Sequence, residues 1–358
     1  MPVKPLSANP NLEHLRYQAR DLLREHAACD IQAAQRIREF HPRFQNADDS
    51  AIFTSQLQLA DAQLVIARER GFASWARLKR RVEKPTRADD LSLPQHERIE
   101  DKVFRQAVDL LDAGDSAGLA AHLRQHPNLV HKRVTLEGGN YFRNPTLLEF
   151  TAENPVRRGT LPANIVEIAK AILEAGAKDD SDALHETLGL VCSGMVPRKC
   201  GVQVELIDLL CSYGADPAEA MYPALFHGEF EAVEVLLKHG ARLDLVVLAA
   251  LGKIEDFRRL LPLATAEERH RALAAAAQFG HADIVELLLD AGEDPNRYNP
   301  PGAHSHSTPL HQAALAGHET VIRLLVARGA RLNIKDTMWQ ATPAQWAKHG
   351  GKTQIDIR

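Results

Sequence analysis

The sequence predicts an all-α fold of repeated helix–turn–helix units behind a small helical N-terminal domain. Three observations carry this. A frame ending in glycine recurs along most of the chain. Each frame holds two apolar stripes at helical spacing, both too short to be stable helices in isolation. The apolar content comes mainly from Leu, Ala, Val and Ile, since aromatics are 5% of the chain and 11 of them are Phe.

In chain order, NLEHLRYQARDLLREHAA (11–28) places Leu12, Leu15, Ala19, Leu22 and Leu23 on one helical face. QLQLADAQLVIARER (56–70) reads as a second apolar helix. GFASWARLKRRVE (71–83) turns at Gly71 and continues as a third, with Ser74 as its cap and Phe72 and Trp75 placed to pack. Together they predict a helical domain over 1–84. The polar stretch KPTRADDLSLPQ (84–95) then opens a linker, set at 85–100, and an array of about seven units plus a truncated one fills 101–358.

The frame is clearest at Gly317, in AALAGHETVIRLL, and at Gly280, in AAAAQFGHADIVELLLDAGEDPN. It recurs at Gly252 and Gly228. Weaker forms put Gly114, Pro155 and Val191 at the same point, and Gly351 closes TPAQWAKHGG. Successive anchors average about 34 residues apart, a period at which each unit buries its apolar face only against its neighbours. Around 228 and 252 the steps shorten and no TPLH survives, so projecting turns are expected to be lost there. NPVRRGTLPAN (154–164) and CSGMVPRKCGVQ (192–203) are long loops inside units. VHKRVTLEGGNYFRNP (130–145) separates the first two units, and KTQIDIR is too short for a closing helix.

STPLHQAALAGHETVIRLLVARGARLN (307–333) shows how one unit works. Thr308 caps the first helix, and Pro309 sits at N1, where a missing N–H costs nothing. Leu310, Ala313 and Ala314 are slim enough for close stacking. Gly317 ends the helix with positive φ. Val321, Ile322, Leu324 and Leu325 form the buried stripe of the second helix.

This segment resembles an ankyrin repeat almost position by position, and ATPAQWAKHGG (341–351) and GHADIVELLLDAGEDPN (280–296) are similar to its parts. The predicted architecture is therefore an ankyrin-repeat solenoid. The N-terminal helices resemble a segment that often precedes ankyrin arrays in bacterial proteins. The resemblance implies a non-catalytic scaffold that binds another protein through a concave groove and turn tips. The groove positions lie just before each glycine anchor. Carried over, they are Glu153 and Asn154, Phe226 and His227, Ala250 and Leu251, Gln278 and Phe279, Leu315 and Ala316, and His349. Met338 and Trp339, on the turn DTMWQATP, add side chains typical of binding hot spots. An exposed apolar row is a mark of a partner site; the competing reading turns Phe226 and Leu251 into the core and packs Trp339 on the unit beneath.

Other function classes find less support. A net charge of −4 calls for neither nucleic acid nor membrane. Apolar runs such as LVVLAAL are too short to span a bilayer, and the N-terminus has no apolar signal region. Four cysteines in no metal or redox spacing fit a reducing, cytoplasmic setting. No nucleophile, zinc or phosphate-loop motif occurs, so neither enzyme activity nor a cofactor is expected. Three further groupings are weighed against structural roles. Arg68, Arg70, Arg77, Lys79, Arg80, Arg81, Lys84 and Arg87 would meet phosphates in a nucleic-acid reading, but read better as a solvated face. His304, His306 and His311 would bind metal, yet His311 holds the TPLH position, where it bonds backbone between units; Cys192, Cys200 and Cys211 read as ordinary buried thiols. Glu149, Glu153 and His185 would be acid–base partners in an enzyme. The alternative function is a small-ligand or sensory pocket near the 130–145 finger and Tyr141, Phe142 and Asn144, with an anion patch from Arg157, Arg158, Arg198 and Lys199.

Overall fold

The computed structural model describes residues 4, 6, 10–83, 91–136, 141–352 and 354. Lys84, Arg87, part of the linker, residues 137–140 of the first long finger and most of the C-terminal KTQIDIR lie outside the described residues. Short helices joined by tight turns make up the chain, with no strand among the described residues. The expected all-α repeat fold is the one observed.

Packing divides the chain into two compact units, Met1–Leu78 with Leu243–Arg358, and Lys79–Arg242. These limits differ from the expected division at 84 and 101, because the N-terminal helices share a unit with the last repeats.

In the first unit, the helices Leu12–Ala27, Ile31–Phe40 and Leu59–Glu69 pack on one another. Leu15, Ala19, Leu22, Ile37, Val65, Ile66, Phe72 and Leu78 fill the space between. Ser74 Oγ accepts the Arg77 N–H at 3.3 Å, as its capping role requires. The repeats contribute the helices Leu245–Ala250, Ala266–Phe279, Pro309–Ala316 and Pro343–His349, each stacked on the next. Their buried faces include Ala272, Ala274–Ala277, Ala313 and Ala314, small side chains that let the axes approach closely. Ile254–Leu260, Ala282–Asp290 and Glu319–Ala327 pack behind them.

The Gly-His pairs at 280–281 and 317–318 are explained by this stacking. Gly280 caps its helix at φ +84, a conformation glycine adopts without penalty. A Cβ there would also lie 2.6 Å from the His318 ring of the next repeat. His318 uses that space to donate from Nε2 to the Gln278 carbonyl at 3.0 Å. His281 repeats the contact one unit earlier, on the Ala250 carbonyl at 2.8 Å. Each repeat thereby satisfies a carbonyl that its neighbour's helix end leaves open.

The N-terminal helices meet the turns of the last repeats. Gln35 donates to the Ser305 carbonyl, and Glu39 lies against Thr337.

The second unit opens with Lys102–Asp112 and Ser116–Gln125. The stretch that the frame marks as the next first helix is only a 3-10 turn, Leu148–Ala152, ended by Glu153 at φ +47. Ile165–Glu174, Ser181–Cys192, Gln203–Ser212, Pro217–Phe226 and Phe230–Lys238 complete the unit. The loop 192–203 is not wholly irregular, since Met195–Lys199 forms a short helix within it.

Candidate functional site

The last two repeats of the first unit enclose an open pocket of about 470 Å³. Leu315, Trp339, Ala341, Gln345, Trp346 and His349 line it. Leu315 comes from the end of Pro309–Ala316 and Gln345, Trp346 and His349 from Pro343–His349. Trp339 and Ala341 come from the turn between repeats.

One buried carboxylate builds that turn. Asp336 is fully buried. It accepts the backbone N–H groups of Met338 at 2.8 Å, Trp339 at 2.6 Å and Ala341 at 2.8 Å. The Trp346 indole N–H reaches it at 3.1 Å. The two tryptophans are thus oriented from a single point, edge to face with centroids 5.8 Å apart. His306 packs against both rings, at 5.3 and 5.6 Å. His311 closes a capping box with Thr308 and donates from Nε2 to the Ala341 carbonyl at 3.2 Å. Burial pushes His306 down to about 3 and His311 to about 4, so both rings are neutral and act as structural packing. Among the described residues no three His, Cys, Asp or Glu side chains group as metal ligands.

Trp339 remains 58% exposed although its backbone is pinned. Its ring also rests against His306 and Trp346, contacts that lower the ordering cost of binding.

The structure brings together three of the residues expected at a partner site, Leu315, Trp339 and His349. Leu251, Gln278 and Phe279 are half-buried on their helix ends, and His227 is exposed, bonded to the Pro223 carbonyl at 2.8 Å. Asn154 is half-buried and donates to the Leu190 carbonyl at 2.9 Å.

Three expected positions are corrected. Phe226, Met338 and Glu153 are buried and present no surface. Phe226 closes its helix facing the core, Met338 turns under the Asp336 loop, and Glu153 is drawn inward by Arg157, 2.8 Å away. Ala341, Gln345 and Trp346 were missed. The signal was present: Thr342-Pro343 repeats Thr308-Pro309, and in that register Trp346 takes the place of Gln312.

The competing groupings resolve into structural contacts. Arg157 and Arg158 pair with Asp112, and Arg198 with Glu229 at 2.7 Å, so these arginines are neutralised within the second unit rather than displayed as an anion patch. In the basic segment, burial holds Arg68 and Arg70 below their ordinary values, and Arg70 donates to Gln18. Tyr141 donates to Asn154 at 3.2 Å. Glu149 accepts the Thr146 N–H at 3.0 Å, near Arg133.

Burial pushes Glu149, and in the first unit Glu39, up to about 8. Between pH 4.5 and 8 the folded protein therefore holds protons that the unfolded chain has released. Their contribution is complete below 4.5 and lost as pH rises through 8. Thermal midpoints are expected to fall over this range. Glu149→Gln and Glu39→Gln should flatten the fall, each raising stability at pH 9 by about 1–3 kcal/mol, as read by denaturation at a series of pH values.

Comparison with known proteins locates this geometry. A family model described as ankyrin repeats, in three copies, matches residues 245–336. Cyclin-dependent kinase 4 inhibitor B of Bos taurus is 31% identical over 120 residues, covering 32% of this chain and 88% of that protein. An ankyrin repeat and KH domain-containing protein of Caenorhabditis briggsae is 29% identical over 196 residues, 49% of this chain and 7% of that protein. An inactive serine/threonine-protein kinase of Mus musculus is 37% identical over 81 residues, 23% of this chain and 5% of that protein. The chain thus spans less than a tenth of the length of these last two relatives. The matched copies end at Asp336, so five of the six pocket residues lie beyond them. No helix among the described residues is long and apolar enough to cross a membrane.

Proposed function

The chain belongs to the ankyrin repeat family, and from that premise we propose that it is a non-catalytic module that binds a partner protein at the pocket between its last two repeats. Ankyrin repeats in general mediate protein–protein interaction. The observation that carries the reading is the exposed Trp339 lining an apolar pocket. Interfaces draw most of their energy from such aromatic anchors next to well-packed pockets. The lining supplies one imidazole, one amide and no carboxylate, a set suited to recognition rather than acid–base work. One relative, matched over 88% of its length, is named an inhibitor of a kinase, which supports a protein as the class of partner. Four free thiols support a reducing, cytoplasmic location.

The test is affinity capture from the source cell with the full chain and with Trp339→Ala plus Leu315→Ser. Trp339 is mostly exposed and Leu315 half-buried, so the variant should keep its circular dichroism and unfold within a few degrees of wild type. Its specific partners should be lost, as quantified by mass spectrometry. Retention of the same proteins at wild-type levels by a folded variant refutes the proposal.

A further inference from the structure

The groove reading leaves the partner's chemistry open, and the charges around the pocket narrow it. Along Pro343–His349, Gln345, Trp346 and His349 face the pocket. Lys348 lies one small helical rotation from Gln345 and is exposed. On the opposite wall, Leu315 precedes Gly317, and Lys352 lies over that glycine: a Cβ there would be 2.8 Å from its Cδ. Gly350 packs against Leu315 itself, so the end of the last repeat wraps the Leu315 wall and carries its lysine with it. Two lysines and His349 thus stand beside one apolar pocket.

Among the described residues, none of this charge is paired. Elsewhere in the unit, Arg323 is matched by Glu319 and Arg328 by Asp290 and Glu286. Among the described residues, no carboxylate forms an ion pair with Lys348 or Lys352. Asp336, which builds the pocket's turn, is fully buried, and its oxygens are engaged by backbone N–H groups and the Trp346 indole. A cationic rim around an apolar pocket attracts the opposite sign and repels its own.

We propose that the pocket takes a segment of another protein in which an aromatic or aliphatic side chain is flanked within a few residues by Asp or Glu. The apolar side chain enters between Leu315, Trp339 and Trp346. The carboxylates meet Lys348 and Lys352 and accept hydrogen bonds from their ammonium groups. This rests on the groove reading above and deepens it.

The experiment is selection of binders from a random peptide library on the full chain. It is repeated on Lys348→Glu plus Lys352→Glu and on Trp339→Ala; all three substitutions lie at exposed positions. Binding of the selected peptides is then followed by tryptophan fluorescence at low and high salt. Peptides enriched on wild type should carry an acidic excess beside an apolar residue. They should bind the charge-reversed variant at least tenfold more weakly, and that ratio should shrink at high salt. Binders that depend on Trp339 but show no acidic excess, or that ignore charge reversal, overturn the acidic assignment and leave the groove standing. Binders indifferent to Trp339→Ala, or none dependent on it, overturn both. Gel filtration of the free chain supplies the last outcome: self-association abolished by Trp339→Ala would make a second copy the occupant and refute the proposal.

Discussion

Arg157→Ala is expected to destabilise the Lys79–Arg242 unit by about 3–5 kcal/mol, the cost typical of stripping one member from a buried ion cluster. The Arg157 side chain is 1% exposed. Its guanidinium grips both Asp112 oxygens, at 2.8 and 3.1 Å. It lies 2.8 Å from Glu153 Oε2, and its far face covers the Phe150 ring. The other Glu153 oxygen accepts the backbone N–H groups of Arg157 at 2.7 Å, Arg158, and Gly159 at 3.0 Å, which shapes the loop that delivers the arginine. Alanine would leave two carboxylates buried without their cation. Lysine should rescue little, because a point charge cannot reproduce the bidentate fork. Replacing Arg157 and Asp112 together by apolar residues should recover part of the loss, since the partner charge goes too. Denaturant titration with hydrogen exchange resolved to residues 102–175 reads the effect. An unchanged midpoint and unchanged local protection for Arg157→Ala would contradict it.

Phe226→Ala should cost the same unit about 3–5 kcal/mol, as for deletion of a fully buried aromatic. The ring is 1% exposed and meets Tyr222 edge to face at 6.4 Å. Phe279→Ala, at a half-buried helix end, should cost less than half as much. The contrast is the informative part, because both residues fall on the repeat frame's groove positions just before a glycine anchor, Phe226 two residues before Gly228 and Phe279 one before Gly280. A partner-binding role for Phe226 would instead give a stable variant deficient in capture. The same denaturation experiment, run on both variants beside capture, separates the outcomes.

That frame was legible because its signals are local. Thr308-Pro309 at a helix start, Gly280 and Gly317 at positive φ, and alanine where helices touch each act within a turn or two of chain. They identified the helical repeats, their glycine ends and the family resemblance from residue types and spacing alone. The site was half legible: Leu315, Trp339 and His349 follow from the frame, and their convergence on one pocket with Trp346 does not.

What the sequence by itself determined, then, is the unit: two short helices, a glycine stop and, in TPLH, a histidine that bonds backbone between units. What only the tertiary structure decided is which rim positions face water. Ala266–Phe279 and Pro309–Ala316 run up to their glycines, whereas Pro217–Phe226 stops one residue early at His227. Phe226 stands two residues before Gly228 and Phe279 one before Gly280. One residue is about 100° of helical rotation, so the two rings leave their helices in different directions, Phe226 into the core. Arg157 and Arg158, in the first long loop, show the same limit. Their partner Asp112 lies 45 residues away from Arg157, and a pairing at that distance exists only once the chain has folded.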